Sequence, residues 1–132
     1  MNADPIGDWL HKAEMDYAGA LVLARRRKNP LPDLVCWHSQ QCAEKYAKAF
    51  LARHRITFAR THNLSALLQL CSEIDSDFRL IADAMHYLNP FGVEIRYPGA
   101  STTVTDAREA VVAMKQIRKF VRAKLGLKSS GR

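Results

Sequence analysis

DLVCWHSQQCAEKYAKAFLAR, residues 33–53, is the stretch with the clearest structural pattern in the chain. Small and apolar residues recur in it at the i, i+3, i+4, i+7 spacing that lines one face of an α-helix: Val35, Cys36, Ser39, Cys42, Ala43, Tyr46, Ala47, Phe50 and Leu51. The other side carries Gln40, Gln41, Glu44, Lys45 and Lys48, which we expect to face solvent. Pro30 and Pro32 stop any helix arriving from upstream, so Asp33 is the expected N-cap. The pattern predicts one long helix that the rest of the chain covers.

Four more segments show helical spacing, and the chain contains no strand pattern or internal repeat. We expect helices over residues 8–27, 61–71, 78–88 and 106–125, with the first capped by Asp8, the second by Asn63 or Thr61, and the last by Thr105 or Thr103. Residues 93–101 are predicted to cross back over the bundle as an irregular segment. The expected fold is an all-α, up-and-down antiparallel bundle of about five helices. Residues 1–132 are expected to form a single domain, with residues 127–132 as a frayed tail.

Composition excludes several classes of protein. No apolar run approaches the ~20 residues of a membrane span, and the first residues, MNADPIGDWL, lack the order of a secretion signal, so we expect a cytoplasmic protein without membrane contact. The three cysteines lack CxxC spacing and fall on apolar helix faces, so they are predicted to be reduced core residues. The five histidines are scattered, and neither a metal site nor a cofactor is predicted.

The net charge of +7 is unevenly distributed along the chain. Residues 1–21 and 61–107 carry net charges of −3 and −4, whereas residues 22–60 and 108–132 each carry +7. Alternating blocks of this kind suit antiparallel helices that attract their neighbours, and they also suit a local basic surface for phosphate. Both interpretations remain open at this point.

Three motifs connect the chain to a known family: QQCAEKYAKAFL at residues 40–51, Thr-His-Asn-Leu at residues 61–64, and Arg-Tyr-Pro at residues 96–98. In this order and spacing they resemble the HEPN family of small all-helical proteins, over residues 8–125. The resemblance implies the same helical bundle. It also implies a homodimer, and in many cases a partner protein that is a small nucleotidyltransferase.

Many HEPN proteins carry an Arg followed after four to six residues by a His, and the resemblance implies metal-independent RNA cleavage where that pair is present. Two pairs here have the spacing: Arg55 with His62, and Arg79 with His86. Arg79 and His86 are the candidate catalytic residues, because they fall on one face of the predicted helix over 78–88. The structural alternative is that Arg79 pairs with Asp75 or Asp83.

A second candidate site lies on the polar side of the central helix. Its members are His38, Gln41, Lys45 and Lys48, at helical spacing, together with Arg96 and Tyr97 of the Arg-Tyr-Pro motif, which the resemblance places over this region. Cations beside an aromatic ring suit the phosphate and stacked base of a nucleotide or single-stranded RNA. The structural alternative is that Glu44 and Lys48 form an ordinary surface ion pair while Tyr97 fills the core.

Three functions follow from these patterns. The favoured one is a nucleotide- or RNA-associated accessory component that acts with a nucleotidyltransferase-like partner in a toxin–antitoxin or defence-type system. The alternatives are a divergent metal-independent ribonuclease that uses Arg79 and His86, and a dimeric scaffold with no ligand. Enzymatic activity is neither assigned nor excluded by the sequence.

Overall fold

The computed structural model describes residues 4–128 and folds them into five α-helices with no β-strand in that range. The helices are α1 (Pro5–Ala24), α2 (Pro32–Arg53), α3 (Leu64–Ile74), α4 (Ala82–Leu88) and α5 (Val104–Lys124). Short 3-10 helices at Ser76–Ile81, Asn89–Gly92 and Glu94–Arg96 connect the later elements. The predicted all-α bundle of about five helices is confirmed.

Helix α2 is the centre of the bundle and packs against all four other α-helices. Every residue predicted for its apolar face is buried, from Val35 to Leu51. An aromatic row extends this core outward: the Phe50 and Phe78 ring centroids lie 4.5 Å apart, and those of Phe78 and Phe120 lie 5.0 Å apart. The hydrophobic contacts of α2 therefore hold the helices together.

The exposure of the polar side of α2 differs from the sequence prediction. Gln40, Gln41, Glu44 and Lys48 are buried, and of the polar residues expected to face solvent only Lys45 keeps partial exposure. Neighbouring elements cover this part of α2, so its buried polar groups must find partners inside the protein.

Helices α1 and α2 begin earlier than predicted. Helix α1 starts at Pro5, and its cap is Asp4, which accepts a hydrogen bond of 2.9 Å from the Gly7 backbone N–H. Helix α2 starts at Pro32, so Asp33 lies inside the first turn and does not cap it. Proline at the first helical position is already in helical geometry and needs no amide partner, which explains both shifts.

Asp33 has a long-range role in place of capping. Its Oδ1 accepts hydrogen bonds from the Thr102 backbone N–H at 2.8 Å and from the Thr102 hydroxyl at 2.7 Å. These bonds tie the start of α2 to the segment that leads into α5.

The caps of the later helices agree with the sequence. The Asn63 side chain accepts from the Ala66 N–H at 3.1 Å and starts α3. Thr103 and Asp106 form a reciprocal capping box at the start of α5. Gly126 follows α5 with φ +73°, a conformation that favours glycine at a helix end.

The predicted helix over 78–88 is interrupted. Its first part is the 3-10 helix Ser76–Ile81, and Ile81, with φ −112° and ψ 13°, separates it from α4. After α5 the chain is still hydrogen-bonded, because the Leu127 N–H donates to the Arg122 carbonyl at 2.8 Å. The rest of the predicted tail, residues 129–132, lies outside the described residues.

Candidate functional site

A carboxylate of α1 holds two of the predicted site residues of α2. The Asp16 side chain accepts from His38 Nδ1 at 2.8 Å through Oδ1, and from Lys45 Nζ at 2.5 Å through Oδ2. Because an ionised carboxylate only accepts, His38 carries a hydrogen on Nδ1, which leaves Nε2 available to a ligand. Asp16 is buried, whereas both of its partners are partly exposed.

Trp37 links this pair to the Arg-Tyr-Pro segment. Its ring meets the His38 ring edge-on with centroids 4.9 Å apart, and the Arg96 guanidinium carbon lies 5.8 Å from the Trp37 ring centre. Tyr97 follows with 63% of its surface exposed. We call Trp37, His38, Lys45, Arg96 and Tyr97 the Trp37 surface.

The charge of the Trp37 surface comes from Arg96. The positive charge of Lys45 is balanced by Asp16, whereas Arg96 forms no ion pair with any residue between 4 and 128. The Trp37 indole N–H is buried and has no hydrogen-bond partner within the same range. The surface thus offers one unbalanced guanidinium beside the Trp37 ring, with the exposed Tyr97 next to it in the sequence.

Gln41 and Lys48 belong to a separate, buried group. We call Gln40, Gln41, Glu44, Lys48 and His62 the Glu44 cluster. Glu44 accepts from Lys48 Nζ at 3.0 Å and from His62 Nδ1 at 2.9 Å. Gln40 donates to the His62 backbone carbonyl at 3.0 Å, and Gln41 donates to the Gln40 side-chain oxygen at 2.7 Å. The predicted surface ion pair of Glu44 and Lys48 is therefore an internal one.

Apolar groups cover the Lys48 end of the Glu44 cluster, whereas the His62 side chain keeps 54% of its surface exposed. Lys48 Nζ lies 5.2 Å from the Trp9 ring centre and 5.9 Å from the Phe58 ring centre. Gly92 lies so close to Gln40 that an added Cβ would be 2.5 Å from its Nε2 atom. This packing leaves Gln41 and Lys48 each with only 5% of its surface exposed.

A third polar group, the Glu14 cluster, joins α1, α2 and α5. Arg118 donates to both Glu14 carboxylate oxygens, each at 2.8 Å, and the Tyr46 hydroxyl donates to the same carboxylate. Burial raises the pKa of Glu14, but the hydrogen bonds from Arg118 and Tyr46 outweigh it and hold that pKa below its ordinary value. The Glu14 carboxylate is thus charged and fully engaged at neutral pH.

The two candidate catalytic residues have separate hydrogen-bond partners within the chain. Arg79 Nε donates to the Ser76 carbonyl at 3.2 Å, and His86 Nδ1 lies 3.0 Å from the Ser65 hydroxyl. Both side chains are exposed, on segments that Ile81 separates. The alternative ion pair of Arg79 with Asp75 is also absent from the described residues, since Asp75 pairs with Lys124 at 2.7 Å.

The cysteines are free and buried, as predicted. Burial raises the pKa of Cys36 to about 11 and that of Cys71 to about 12, so both remain thiols at neutral pH. Within residues 4–128 no group of three His, Cys, Asp or Glu side chains is arranged to hold a metal ion. None of the helices in that range is long and apolar enough to cross a membrane.

Asp16 and Trp37 were missed by the sequence analysis. Asp16 lies on a different helix from the residues it holds, and no spacing rule connects them. Trp37 adjoins His38 in the sequence, but it was assigned to neither face of the predicted helix.

The comparisons with known proteins agree with this architecture. The model of the HEPN domain family matches residues 6–124. The crystal structure of an archaeal HEPN homologue superposes with a TM-score of 0.71 at 26% sequence identity, covering 91% of this chain and 97% of that one. No curated protein matches the chain. With a family match over nearly its whole described length and a fold shared with that homologue, the chain belongs to the HEPN domain family.

Proposed function

We propose that this HEPN protein is a nucleotide- or RNA-associated accessory component that binds its ligand at the Trp37 surface. The observation that supports this most is the unbalanced Arg96 guanidinium, which lies 5.8 Å from the Trp37 ring centre and is followed in the chain by the exposed Tyr97. In this proposal Arg96 contacts a phosphate and Tyr97 stacks on a base. His38 Nε2 and Lys45 contribute hydrogen bonds, while Gln41 and Lys48 support α2 from beneath.

The charge balance sets the strength of binding. Because Asp16 neutralises Lys45, the unbalanced charge of Arg96 can contact only one or two phosphates of a ligand. A plot of the logarithm of the affinity for single-stranded RNA against the logarithm of the salt concentration should therefore have a slope of only about −0.7 to −1.4. Stacking on Tyr97 should contribute about 1–3 kcal/mol, equivalent to about 5- to 150-fold in affinity.

Fluorescence anisotropy with a short labelled single-stranded RNA, and with labelled ATP, tests this proposal. We expect Arg96→Gln and Tyr97→Leu each to weaken binding, and the double variant to abolish it. Arg60→Gln is the matched control, because Arg60 is an exposed loop arginine without a contact to another described residue. Equal affinity of the double variant and the unmodified protein would remove the Trp37 surface from consideration.

The same RNA, incubated with chelator, tests the ribonuclease alternative. Arg79 and His86 each have another hydrogen-bond partner and share none, so we expect no cleavage that depends on them. Cleavage that disappears in the His86→Ala variant would instead assign the protein as a metal-independent nuclease.

We further propose that the protein is a cytoplasmic homodimer that acts with a nucleotidyltransferase-like partner in a toxin–antitoxin or defence-type system. Free, buried cysteines suit a reducing compartment. Met15 and Val22 lie two turns apart on α1 with 57% and 62% of their surfaces exposed, and Leu34 on α2 is also exposed. Helix α5 supports dimerisation less, since its Ile117 and Val121 are buried within the fold.

Light scattering after size exclusion measures the oligomeric state, and Met15→Asp with Val22→Asp should shift a dimer to monomer. Retention of the dimer in this double variant would exclude the α1 face. Purification from native cells tests the partner, which should be a nucleotidyltransferase that elutes with the protein.

A further inference from the structure

A groove of about 910 Å³ lies where the end of α1 meets the starts of α2 and α5. Its floor is aliphatic and includes Leu23, Leu31, Val35, Val104, Val111 and Val112. Three of these remain notably exposed: Leu31 at 37%, Val104 at 42% and Val112 at 67%. Exposed aliphatic groups gathered in one concave place are a common feature of protein contact sites.

The rim of this groove is positively charged. The described residues that line it include four arginines, Arg25, Arg26, Arg27 and Arg108, and no carboxylate. Arg26 Nε donates to the Asn29 carbonyl at 3.3 Å, whereas the other three form no ion pair or hydrogen bond with a described side chain. We call this feature the arginine groove.

The nearby carboxylates Asp33 and Asp106 form no ion pair with the rim arginines. Asp33 accepts its two hydrogen bonds from Thr102, and Asp106 completes the capping box with Thr103. Two helices, α2 and α5, begin at the groove and add partial positive charge, while the end of α1 adds partial negative charge. The balance favours an anionic ligand.

We infer that the arginine groove binds an acidic amphipathic helix of a partner protein. Aliphatic side chains of such a helix at i, i+3, i+4 and i+7 would lie on the aliphatic floor, while flanking Asp and Glu residues pair with the guanidinium groups. A single-stranded RNA fits less well, because bases bind by aromatic stacking and the described lining contains no aromatic ring. This inference does not depend on nucleotide binding at the Trp37 surface.

The test is a selection of short peptides from a displayed random library on the intact protein. Peptides enriched on the unmodified protein should be acidic, with aliphatic residues at helical spacing. One enriched peptide is then labelled, and its affinity is measured by anisotropy for the unmodified protein, Arg108→Glu, Val112→Asp and Lys119→Glu.

We expect Arg108→Glu and Val112→Asp each to lower the affinity for the peptide by about tenfold or more. Lys119→Glu is the matched control, because Lys119 is an exposed cation on the same helix outside the groove. Its affinity for the peptide should stay within about twofold of that of the unmodified protein, because an exposed charge that does not contact the peptide contributes little. Glutamate near the start of α5 is compatible with the helix, and circular dichroism verifies that each variant is folded.

Three results would overturn the inference. The first is enrichment of basic or aromatic peptides, or of none. The second is equal binding of the acidic peptide to the Arg108→Glu variant. The third is that Arg108→Glu and Val112→Asp lose binding to a labelled single-stranded RNA, or association with a second copy of this chain, but keep their affinity for the peptide. The groove would then be the site for that other ligand.

Discussion

Lys48 is the residue whose environment departs most from its usual one. Its ammonium group lies in the interior, paired with Glu44 and flanked by the Trp9 and Phe58 rings. A buried ion pair of this kind need not add net stability, since both charges lose their hydration. Removing Lys48, however, takes away the ammonium partner of the buried Glu44 carboxylate and leaves it with His62 and Gln40.

Lys48→Met should therefore lower the free energy of unfolding by about 3–5 kcal/mol. Adding Glu44→Gln should recover part of this loss, because the uncompensated charge is removed. Urea denaturation followed by circular dichroism measures both variants, with Lys119→Met as the exposed control, expected to change stability by less than about 0.5 kcal/mol. A loss under about 1 kcal/mol for Lys48→Met would indicate that water reaches the Glu44 cluster.

The Glu14 carboxylate connects stability to pH. Its pKa in the folded protein lies below the ordinary value of 4.5, so its contribution is present above that value and is lost as pH falls through the folded pKa. The unmodified protein should therefore be more stable than Glu14→Gln at neutral pH, and the difference should shrink below pH 4.5.

Urea titrations at several pH values between neutral and about pH 3 measure this difference. Asp83→Asn is the control, because Asp83 is an exposed carboxylate without a contact to another described residue. If the difference in stability between the unmodified protein and Glu14→Gln does not change with pH, then Arg118 and Tyr46 interact with protonated Glu14 as well as with ionised Glu14.

At the scale of the element, helix α2 depends on a contact far away in sequence. Its first turn has no side-chain cap, and Asp33 is engaged with Thr102 instead. Asp33→Ala should lower the free energy of unfolding by about 1–3 kcal/mol, because a charged acceptor of two hydrogen bonds is lost. Thr103→Ala, which removes an ordinary cap of α5, should cost about 1 kcal/mol.

Thermal or urea unfolding of the two variants measures these costs. The comparison is informative because Thr103 acts within one helix, whereas Asp33 joins two. An Asp33→Ala variant no less stable than Thr103→Ala would indicate that the joint between α2 and α5 is held by apolar packing alone.

The elements also show what a sequence can predict. The apolar face of α2 and the caps at Asn63 and Thr103 were correct, because spacing and capping chemistry act within a few residues. The polar side of α2 was wrong, because Glu44 and Lys48 find their partners in His62, Trp9 and Phe58, which no local pattern connects to α2.

The candidate site was predictable only in part for the same reason. Arg96 and Tyr97 were identified from a motif and are on the surface. His38 lies against Trp37 and is linked to Lys45 through Asp16. Asp16, which accepts hydrogen bonds from both His38 and Lys45, lies on another helix. Local rules cannot reveal a carboxylate that crosses between helices, and so the charge balance of the site required the structure.

At the scale of the whole molecule, the buried cysteines give a measure of cooperativity. Cys36 and Cys42 lie on α2 and Cys71 lies on α3, all within one hydrophobic core. If that core opens as a unit, the three thiols should react with a thiol reagent at one common rate, limited by global unfolding.

Reaction with Ellman's reagent across low concentrations of urea measures these rates, and mass spectrometry of the labelled chain assigns them. The rates of all three cysteines should rise together with urea. Faster labelling of Cys71 alone would mean that α3 separates from the bundle before the other helices, and the core would then consist of two units.

The position of α2 in the centre of the fold also has a consequence for biosynthesis. Helix α5 covers part of the apolar face of α2, but α2 is translated well before residues 104–124. Until residues 104–124 emerge from the ribosome, this part of the α2 face stays uncovered in the nascent chain. Chains of this kind are prone to associate through such faces while incomplete. The interval between synthesis of α2 and of α5 is therefore the time at which this protein has most need of a chaperone.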